Sequence, residues 1–231
     1  MKKIFEKYEF LFCMMLIVIY IVVNSFCIQN FGVYDYRSVI INTIFSIMLI
    51  ILILILKKRT YYGLTKITNL RKYIYFIPLI LIISVNLWNG INVNNSIGEI
   101  IFYVLIMIYI GFIEEIIFRG FLFKMMEKYN VNTAIIVSSV TFGIGHIINL
   151  LNGADIIITL FQVCYAISIG YLFVIIFHKS KSLIPCIVTH SLFNSLSIFN
   201  VENSLSIYIS SVFLVIVPLM YAFYINRCIK D

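Results

Sequence analysis

The chain has 231 residues, of which 62% are hydrophobic and 12% are charged, and its formal net charge is +7. Soluble domains have about 45–50% apolar and about 25% charged residues. The composition therefore excludes a soluble globular protein, a disordered chain and a nucleic-acid-binding domain. The basic residues stand in short clusters between long apolar runs, as in membrane proteins. The five cysteines are scattered without a C-x-x-C spacing, which predicts neither a disulfide framework nor a zinc site.

Eight apolar segments are candidate membrane spans, since a spanning helix needs about 20 mostly apolar residues. In chain order, the predicted spans are Phe10–Ile28, Ser38–Leu56, Tyr73–Trp88, Ile100–Phe123, Thr133–Leu151, Ile156–Phe177, Leu183–Phe199 and Leu205–Tyr224. The third is short and contains Pro78 and Asn86. The first has a longer apolar run than a signal peptide and no A-x-A-like site, so we expect it to be retained. The pattern predicts an all-α polytopic membrane bundle, with residues 1–231 as a single membrane domain.

The connections between these spans differ in charge. One set holds 15 of the 17 basic residues, and it consists of the N-terminus, residues 57–72, 124–132 and 178–182 and the C-terminus. The other set holds only one basic residue, Arg37, and it consists of residues 29–37, 89–99, 152–155 and 200–204. The positive-inside rule therefore predicts that both termini are cytoplasmic. The abundance of Ile, Asn, Lys and Tyr is typical of an AT-rich bacterial genome, so we expect a multi-pass protein of the bacterial plasma membrane.

The fourth span carries charges where apolar residues are expected. Its uncharged run, Ile100–Ile113, has 14 residues and covers about 21 Å at 1.5 Å per residue, which is too short to cross. The helix is expected to continue through Glu114, Glu115 and Arg119, and each charge at depth costs about 2.5–3.5 kcal/mol unless it pairs or lines water. Glu115 and Arg119 are four residues apart and can form an ion pair. Glu114 points about 100° away, so it is left for chemistry or must be protonated.

The fifth span contains the run Phe142-Gly-Ile-Gly-His146. We expect Gly143 and Gly145 to leave room for the close approach of another backbone. A lone histidine in a membrane is often only an interhelical hydrogen-bond donor.

The seventh span contains His190 and Asn194, again four residues apart on one helix face. Ionisable residues gathered on three spans predict a functional site, which we expect to be a water-accessible cavity opening toward the cytoplasm or the lipid. His178 lies in a basic loop, where it is expected to be solvated.

Together, the three motifs resemble the CPBP family of intramembrane proteases. This family includes the type II CAAX prenyl endopeptidases and the bacterial Abi and lysostaphin-resistance-protein-A-like proteins. Its pattern is E-E-x-x-x-R, then F-x-x-x-H, then H-x-x-x-N, each on a separate membrane helix. The chain has all three motifs in that order, and the resemblance covers about residues 100–200 with no departure at the motif positions.

The resemblance implies four catalytic and two supporting residues. The catalytic residues are Glu114, His146, His190 and Asn194, and the supporting residues are Glu115 and Arg119. Glu114 is the expected general base that activates a water, with help from His146. His190 and Asn194 are the expected hydrogen-bond donors to the oxyanion. The residue types suit this chemistry, because peptide hydrolysis needs a base and donors aimed at the developing oxyanion.

The resemblance favours an endopeptidase without a metal or another cofactor. Zinc remains the alternative, because two histidines and a glutamate are a common catalytic zinc set, although the chain has no H-E-x-x-H motif. The expected partners are a peptide or protein substrate and the lipid bilayer, with no nucleic acid. No oligomeric state is indicated.

The resemblance also bears on the substrate. Bacterial relatives are linked to the maturation of small peptides, such as bacteriocin or quorum-sensing precursors, and to self-immunity. Two other classes of function remain open. One is a non-catalytic membrane immunity or scaffold protein, and the other is a transporter or proton relay, since intramembrane Glu and His also build these.

Overall fold

The computed structural model describes residues 2–65, 76–201 and 203–228. Every regular element in these ranges is helical, as the composition predicts. The α-helices are α1 (Lys2–Lys7), α2 (Glu9–Asn30), α3 (Tyr36–Leu56), α4 (Pro78–Ser84), α5 (Ile97–Glu115), α6 (Lys124–Glu127), α7 (Val131–Gly145), α8 (Ile148–Leu151), α9 (Ile156–Ser180), α10 (Ile184–Leu196) and α11 (Ser204–Cys228). Short 3₁₀ turns follow α4 at Val85–Leu87 and α10 at Ser197–Phe199. A π-helical segment, Ile116–Phe123, joins α5 to α6.

Six helical segments of the described chain are long and apolar enough to cross a membrane. They are Glu9–Asn30, Tyr36–Leu56, Ile97–Glu127, Val131–Leu151, Ile156–Ser180 and Leu205–Cys228. They correspond to six of the eight predicted spans, so the chain is a polytopic helical membrane protein. The third and seventh predicted spans are instead shorter apolar helices, Pro78–Leu87 and Ile184–Phe199, and residues 73–75 of the third lie outside the described residues.

The basic residues gather at one end of the bundle. Ion pairs join Lys58 after α3 to Glu6 of α1, 3.4 Å apart, and Lys128 after α6 to Glu9 of α2. We call this end, formed by residues 6–9, 57–64, 124–132 and 178–183, the basic end. Its pairs hold together chain segments that the charge pattern predicts to lie on the same side of the membrane.

The opposite end of the bundle is held by uncharged polar groups. Ser25 and Gln29 of α2 both donate to Asn152 Oδ1, at 2.8 and 2.9 Å. The short helix α10 runs between the two ends, because Leu183 N before it donates to Gly63 O at the basic end, at 2.9 Å. After it, Phe199 O accepts a hydrogen bond from Asn92 N at the opposite end. Helix α10 therefore connects the two ends, as the charge pattern predicts for this part of the chain.

The helix of the fourth predicted span continues through its charges. The π-helical segment is buried throughout, and Glu115 and Arg119 are 0% exposed. The Ser138 hydroxyl donates to Phe118 O at 2.8 Å, which satisfies a backbone carbonyl where the helix widens. By contrast, apolar side chains such as Phe10 and Leu11 are about two-thirds exposed, as a lipid-facing surface requires. The charges therefore face the interior of the bundle.

Candidate active site

The imidazole of His190 lies between the two adjacent carboxylates of α5. Its Nδ1 is 2.9 Å from Glu115 Oε1, and its Nε2 is 3.3 Å from Glu114 Oε2. Because an ionised carboxylate only accepts hydrogen bonds, Nδ1 is the nitrogen that donates to Glu115. A carboxylate at Nδ1 fixes the ring and favours a proton there. The structure thus joins α10 to both carboxylates.

Glu115 also forms the ion pair that its spacing predicts. Arg119 Nη1 lies 3.1 Å from Glu115 Oε1, and both side chains are fully buried. The guanidinium carbon of Arg119 lies 4.1 Å from the centroid of the Phe142 ring, within the range of a cation–π contact. Gly170 of α9 makes space for this arginine, since a methyl group there would come within 3.1 Å of Nη2. Arg119 therefore neutralises Glu115 in the core.

Tyr20 is a site residue that the sequence reasoning missed. Its hydroxyl donates to Glu114 Oε1 at 2.5 Å, and the tyrosine is buried. The two oxygens of Glu114 thus face different neighbours, Tyr20 on one side and His190 on the other. The first three spans carry no recognised motif, and no periodic signal marks one tyrosine in an apolar helix. The first span nevertheless contributes directly to the site.

His146 lies just after the end of α7, where two non-helical residues, His146 and Ile147, separate α7 from α8. As predicted, it lies inside a span, Val131–Leu151, but at a break in the helix. Its Nδ1 is 3.2 Å from Phe142 O. A carbonyl only accepts, so the proton lies on Nδ1 and a neutral ring keeps a lone pair on Nε2. Such a histidine can accept a proton from water.

Asn194 lies on the same face of α10 as His190, as predicted, and both residues line the cavity region next to His146. Its carboxamide makes no hydrogen bond within the described part of the chain, so it is available to a ligand. Asn86, in the short third predicted span, donates through Nδ2 to Phe193 O at 2.6 Å. This contact fixes the backbone beside Asn194.

Glycines allow the helices of the site to come close. A methyl group on Gly111 of α5 would meet Ser191 of α10 at 2.6 Å from Oγ and 2.9 Å from the backbone N. Gly143 behaves as predicted, because a methyl there would meet Ile167 N of α9 at 2.8 Å. The prediction for Gly145 is wrong: nothing lies within 4 Å of a methyl there, and the residue lines the cavity instead.

A cavity of about 340 Å³ opens next to Glu114. Glu114, His146 and Asn194 line it, and an adjoining pocket is lined by both histidines and Asn194. Uncharged polar residues form much of the remaining wall, among them Asn24 of α2. The structure thus brings the four predicted catalytic residues together around connected space within the membrane-spanning region.

The same residues do not form a metal site. Within residues 2–65, 76–201 and 203–228, no three His, Cys, Asp or Glu side chains converge as metal ligands. Glu114 approaches His190 at 3.3 Å, and Glu115 is paired with Arg119.

His178 differs from its prediction as a solvated loop residue. Its Nδ1 lies 2.8 Å from Glu127 Oε1, and only 15% of its side chain is exposed. Its ring centroid is also 6.0 Å from that of Phe123, with the rings edge to face. His178 is therefore part of the packing at the basic end, where α9 meets α6, and lies apart from the site.

Comparison with known proteins agrees with this site. Residues 96–196 match the family model described as Type II CAAX prenyl endopeptidase Rce1-like. The matched segment runs from the N-cap of α5 to the end of α10 and contains all six predicted site residues, from Glu114 to Asn194. The match confirms the resemblance to the CPBP family over residues 96–196, and the family that it describes is a family of proteases. No curated protein and no solved structure matches the chain.

Proposed function

We propose that the chain is an intramembrane endopeptidase that hydrolyses a peptide bond with a water activated by Glu114. One observation carries the proposal: Glu114, on a membrane-spanning helix, lies beside His190 and borders a cavity between the helices. A general base must reach its proton directly or through one water. The cavity provides space for that water and for the carbonyl that it attacks.

In this mechanism, Glu114 accepts a proton from a water that also contacts His146. The water oxygen bonds to the carbonyl carbon, and the π electrons of the carbonyl move to its oxygen. Asn194 donates a hydrogen bond to that oxyanion through Nδ2. His190 donates a second one through Nε2 in the form that carries a proton on both ring nitrogens, since Nδ1 already donates to Glu115. Stabilisation of the oxyanion is usually the largest single electrostatic contribution to catalysis. The C–N bond then breaks, and the proton held by Glu114 passes to the leaving nitrogen. The products are a carboxylic acid and an amine, and transfer of the second water proton from the acid to the amine gives a carboxylate and an ammonium group.

The supporting groups set the orientation of these residues. Glu115 holds Nδ1 of His190, and Arg119 pairs with Glu115 on the other side. Tyr20 fixes one oxygen of Glu114. Positioning of this kind matters because small misplacements of reacting groups lower rates by large factors. We treat Tyr20, Glu115 and Arg119 as positioning residues.

The chain of ionisable groups from Arg119 through Glu115 and His190 to Glu114 would also suit a proton relay. A relay, however, needs a polar path to both sides of the membrane. Between Arg119 and the basic end, Phe121, Leu122 and Phe123 are no more than 1% exposed. This apolar layer favours hydrolysis in the cavity over a relay.

The test is proteolysis by the purified protein in detergent, with a peptide library analysed by mass spectrometry. The variant Glu114→Gln should fold, because the amide has nearly the same shape, yet cleave at least about 10²-fold more slowly, since an amide cannot take the proton. Glu6→Gln, at the half-exposed pair with Lys58, is the matched control and should cleave normally. Full cleavage by Glu114→Gln would overturn the proposal.

Adding a chelator, and then zinc, tests the metal-dependent alternative, and we expect neither to change the rate.

A further inference from the structure

The cavity wall is unusually rich in carboxamides. Five of them line it, on five different helical segments: Asn24, Asn86, Asn149, Gln162 and Asn194. Tyrosines add hydroxyl groups, among them Tyr103, whose hydroxyl lies 2.6 Å from Ser197 Oγ. Glu114 is the one carboxylate among the described lining residues, and none of them is a lysine or an arginine. Part of this capacity is used within the wall, because Asn149 Nδ2 donates to Gln162 Oε1 at 2.8 Å and Asn86 Nδ2 donates to Phe193 O at 2.6 Å. The wall offers its remaining amide and hydroxyl groups as hydrogen-bond partners, and it has no fixed positive charge.

The polar wall extends from Glu114 toward the end opposite the basic residues. On α5, Tyr103 and Met107 line the cavity, and both lie between Glu114 and the helix start at that end. On α2, Asn24 lies four residues beyond Tyr20 in the same direction.

The other helices show the same direction. Asn149 follows His146 toward the Asn152 loop, and Ser197 follows Asn194. On the basic side of Glu114, the buried Arg119 and the apolar layer that follows it close the bundle. The lining thus runs away from the basic end, whereas the sequence predicts an opening toward the cytoplasm or the lipid.

We infer that the site takes an internal, uncharged stretch of polypeptide that enters from the non-cytoplasmic side of the membrane. The inference rests on the proposed function and on the positive-inside rule, which assigns the basic end to the cytoplasm. A carboxamide has both donors and an acceptor, so it can pair with the N–H and C=O groups of an extended chain. Without such partners, the transfer of a peptide group out of water is unfavourable.

The same wall is unfavourable for the binding of a charged terminus of the substrate. A terminal carboxylate or an acidic side chain needs a cation, and Arg119 is already paired with Glu115 behind the His190 ring. At about 340 Å³, the cavity is at the small end of ligand sites and has room only for the residues next to the scissile bond. The cleaved bond should therefore lie within a neutral segment, several residues from either terminus.

The direction of opening is tested by cysteine labelling, which does not depend on proteolysis. In a variant with all five native cysteines replaced, Asn149→Cys or Asn24→Cys is treated with a membrane-impermeant maleimide in intact spheroplasts. Both should be labelled without permeabilisation. Asn132→Cys, an exposed position at the basic end, is the matched control and should be labelled only after permeabilisation. Labelling of Asn149→Cys and Asn24→Cys only after permeabilisation, or of Asn132→Cys from outside, would overturn the inference.

The chemistry of the substrate is tested with one cleaved peptide and its charged variants. Moving the scissile bond to within two residues of a free C-terminal carboxylate should lower kcat/KM at least 10-fold, and amidation of that terminus should restore it. Gln162→Ala should raise KM more than it lowers kcat. Faster cleavage beside a free carboxylate would overturn the inference and leave Glu114-dependent hydrolysis intact. If cleavage did not depend on Glu114, the proposed function would fail, whereas the labelling result would stay the same.

Discussion

Tyr20 and Glu114 are 94 residues apart in the chain, yet the tyrosine hydroxyl lies 2.5 Å from the glutamate carboxylate. This contact links the first membrane helix to the helix that carries the glutamate pair. Glu114 lies between Tyr20 and His190, so its carboxylate has little freedom to rotate. A base held in this way is already oriented before a substrate arrives.

Replacement of this tyrosine by phenylalanine is the first prediction. Tyr20→Phe removes one hydroxyl and leaves the ring, so the fold should be kept while the carboxylate becomes free to turn. We expect kcat to fall about 10-fold, as misplacement of a catalytic group does, with KM nearly unchanged. Steady-state kinetics on a cleaved peptide separates the two constants.

Tyr61→Phe is the control for this experiment. The Tyr61 hydroxyl also makes a hydrogen bond, 2.9 Å to Lys124 O, but at the basic end. Its loss should lower the melting temperature without changing kcat. Equal kcat losses in both variants would mean that Tyr20 acts only through the stability of the bundle.

The sequence predicts that the glutamate and histidine motifs form a site, because charges inside an apolar span are costly and must have partners. That argument predicts the continuous helix through Glu114 and the pair of Glu115 with Arg119, and the structure has both. The argument does not predict that Tyr20 and Asn86 belong to the site, because their uncharged side chains are compatible with a membrane without a special role. It also misses the pairing of His178, because a loop position says nothing about what packs on it. The direction of the cavity depends on how side chains from several helices converge, which no single segment encodes.

Asn194→Ala is the second prediction. The carboxamide of Asn194 makes no hydrogen bond within the described part of the chain and borders the space beside His146. Because Asn194 is the proposed hydrogen-bond donor to the oxyanion, its loss should lower kcat about 10²–10³-fold. KM should change little, because the interaction forms in the transition state. Asn132→Ala, at the basic end, should cleave at the normal rate. A large rise in KM with an unchanged kcat would identify Asn194 as a ground-state contact.

Arg119 is the subject of the third prediction. Arg119→Ala leaves the fully buried Glu115 without its cation, and breaking a buried ion pair costs about 3–5 kcal/mol. We expect a strongly reduced folded yield, measured by size-exclusion chromatography and thermal unfolding in detergent. The double variant Glu115→Gln with Arg119→Met removes both charges and should recover much of the yield but not the activity. A well-folded Arg119→Ala protein that loses only activity would instead give Arg119 a direct part in the reaction.

His178→Ala is the fourth prediction. The imidazole pairs with Glu127 and packs on Phe123, and the pair is partly exposed, so its loss should cost about 1 kcal/mol. The melting temperature should fall while kcat and KM stay normal, because His178 lies at the basic end, apart from the cavity. A normal melting temperature would show that the contact with Glu127 contributes nothing. A loss of kcat would link the basic end to the site.

Gly111→Ala is the fifth prediction, and it tests the spacing between α5 and α10. The added methyl would lie 2.6 Å from Ser191 Oγ and 2.9 Å from Ser191 N. The hydroxyl can rotate away but the backbone nitrogen cannot, so α10 must move, and His190 is the residue before Ser191. We therefore expect Gly111→Ala to lower kcat more than it lowers the melting temperature. Gly98→Ala, in the first turn of the same helix with nothing within 4 Å of the new methyl, should leave both unchanged or raise stability slightly, since alanine favours a helix by about 1 kcal/mol over glycine. Normal cleavage by Gly111→Ala would mean that the contact of His190 with the two carboxylates tolerates a shift of α10, and the positioning role given to Glu115 would then fail.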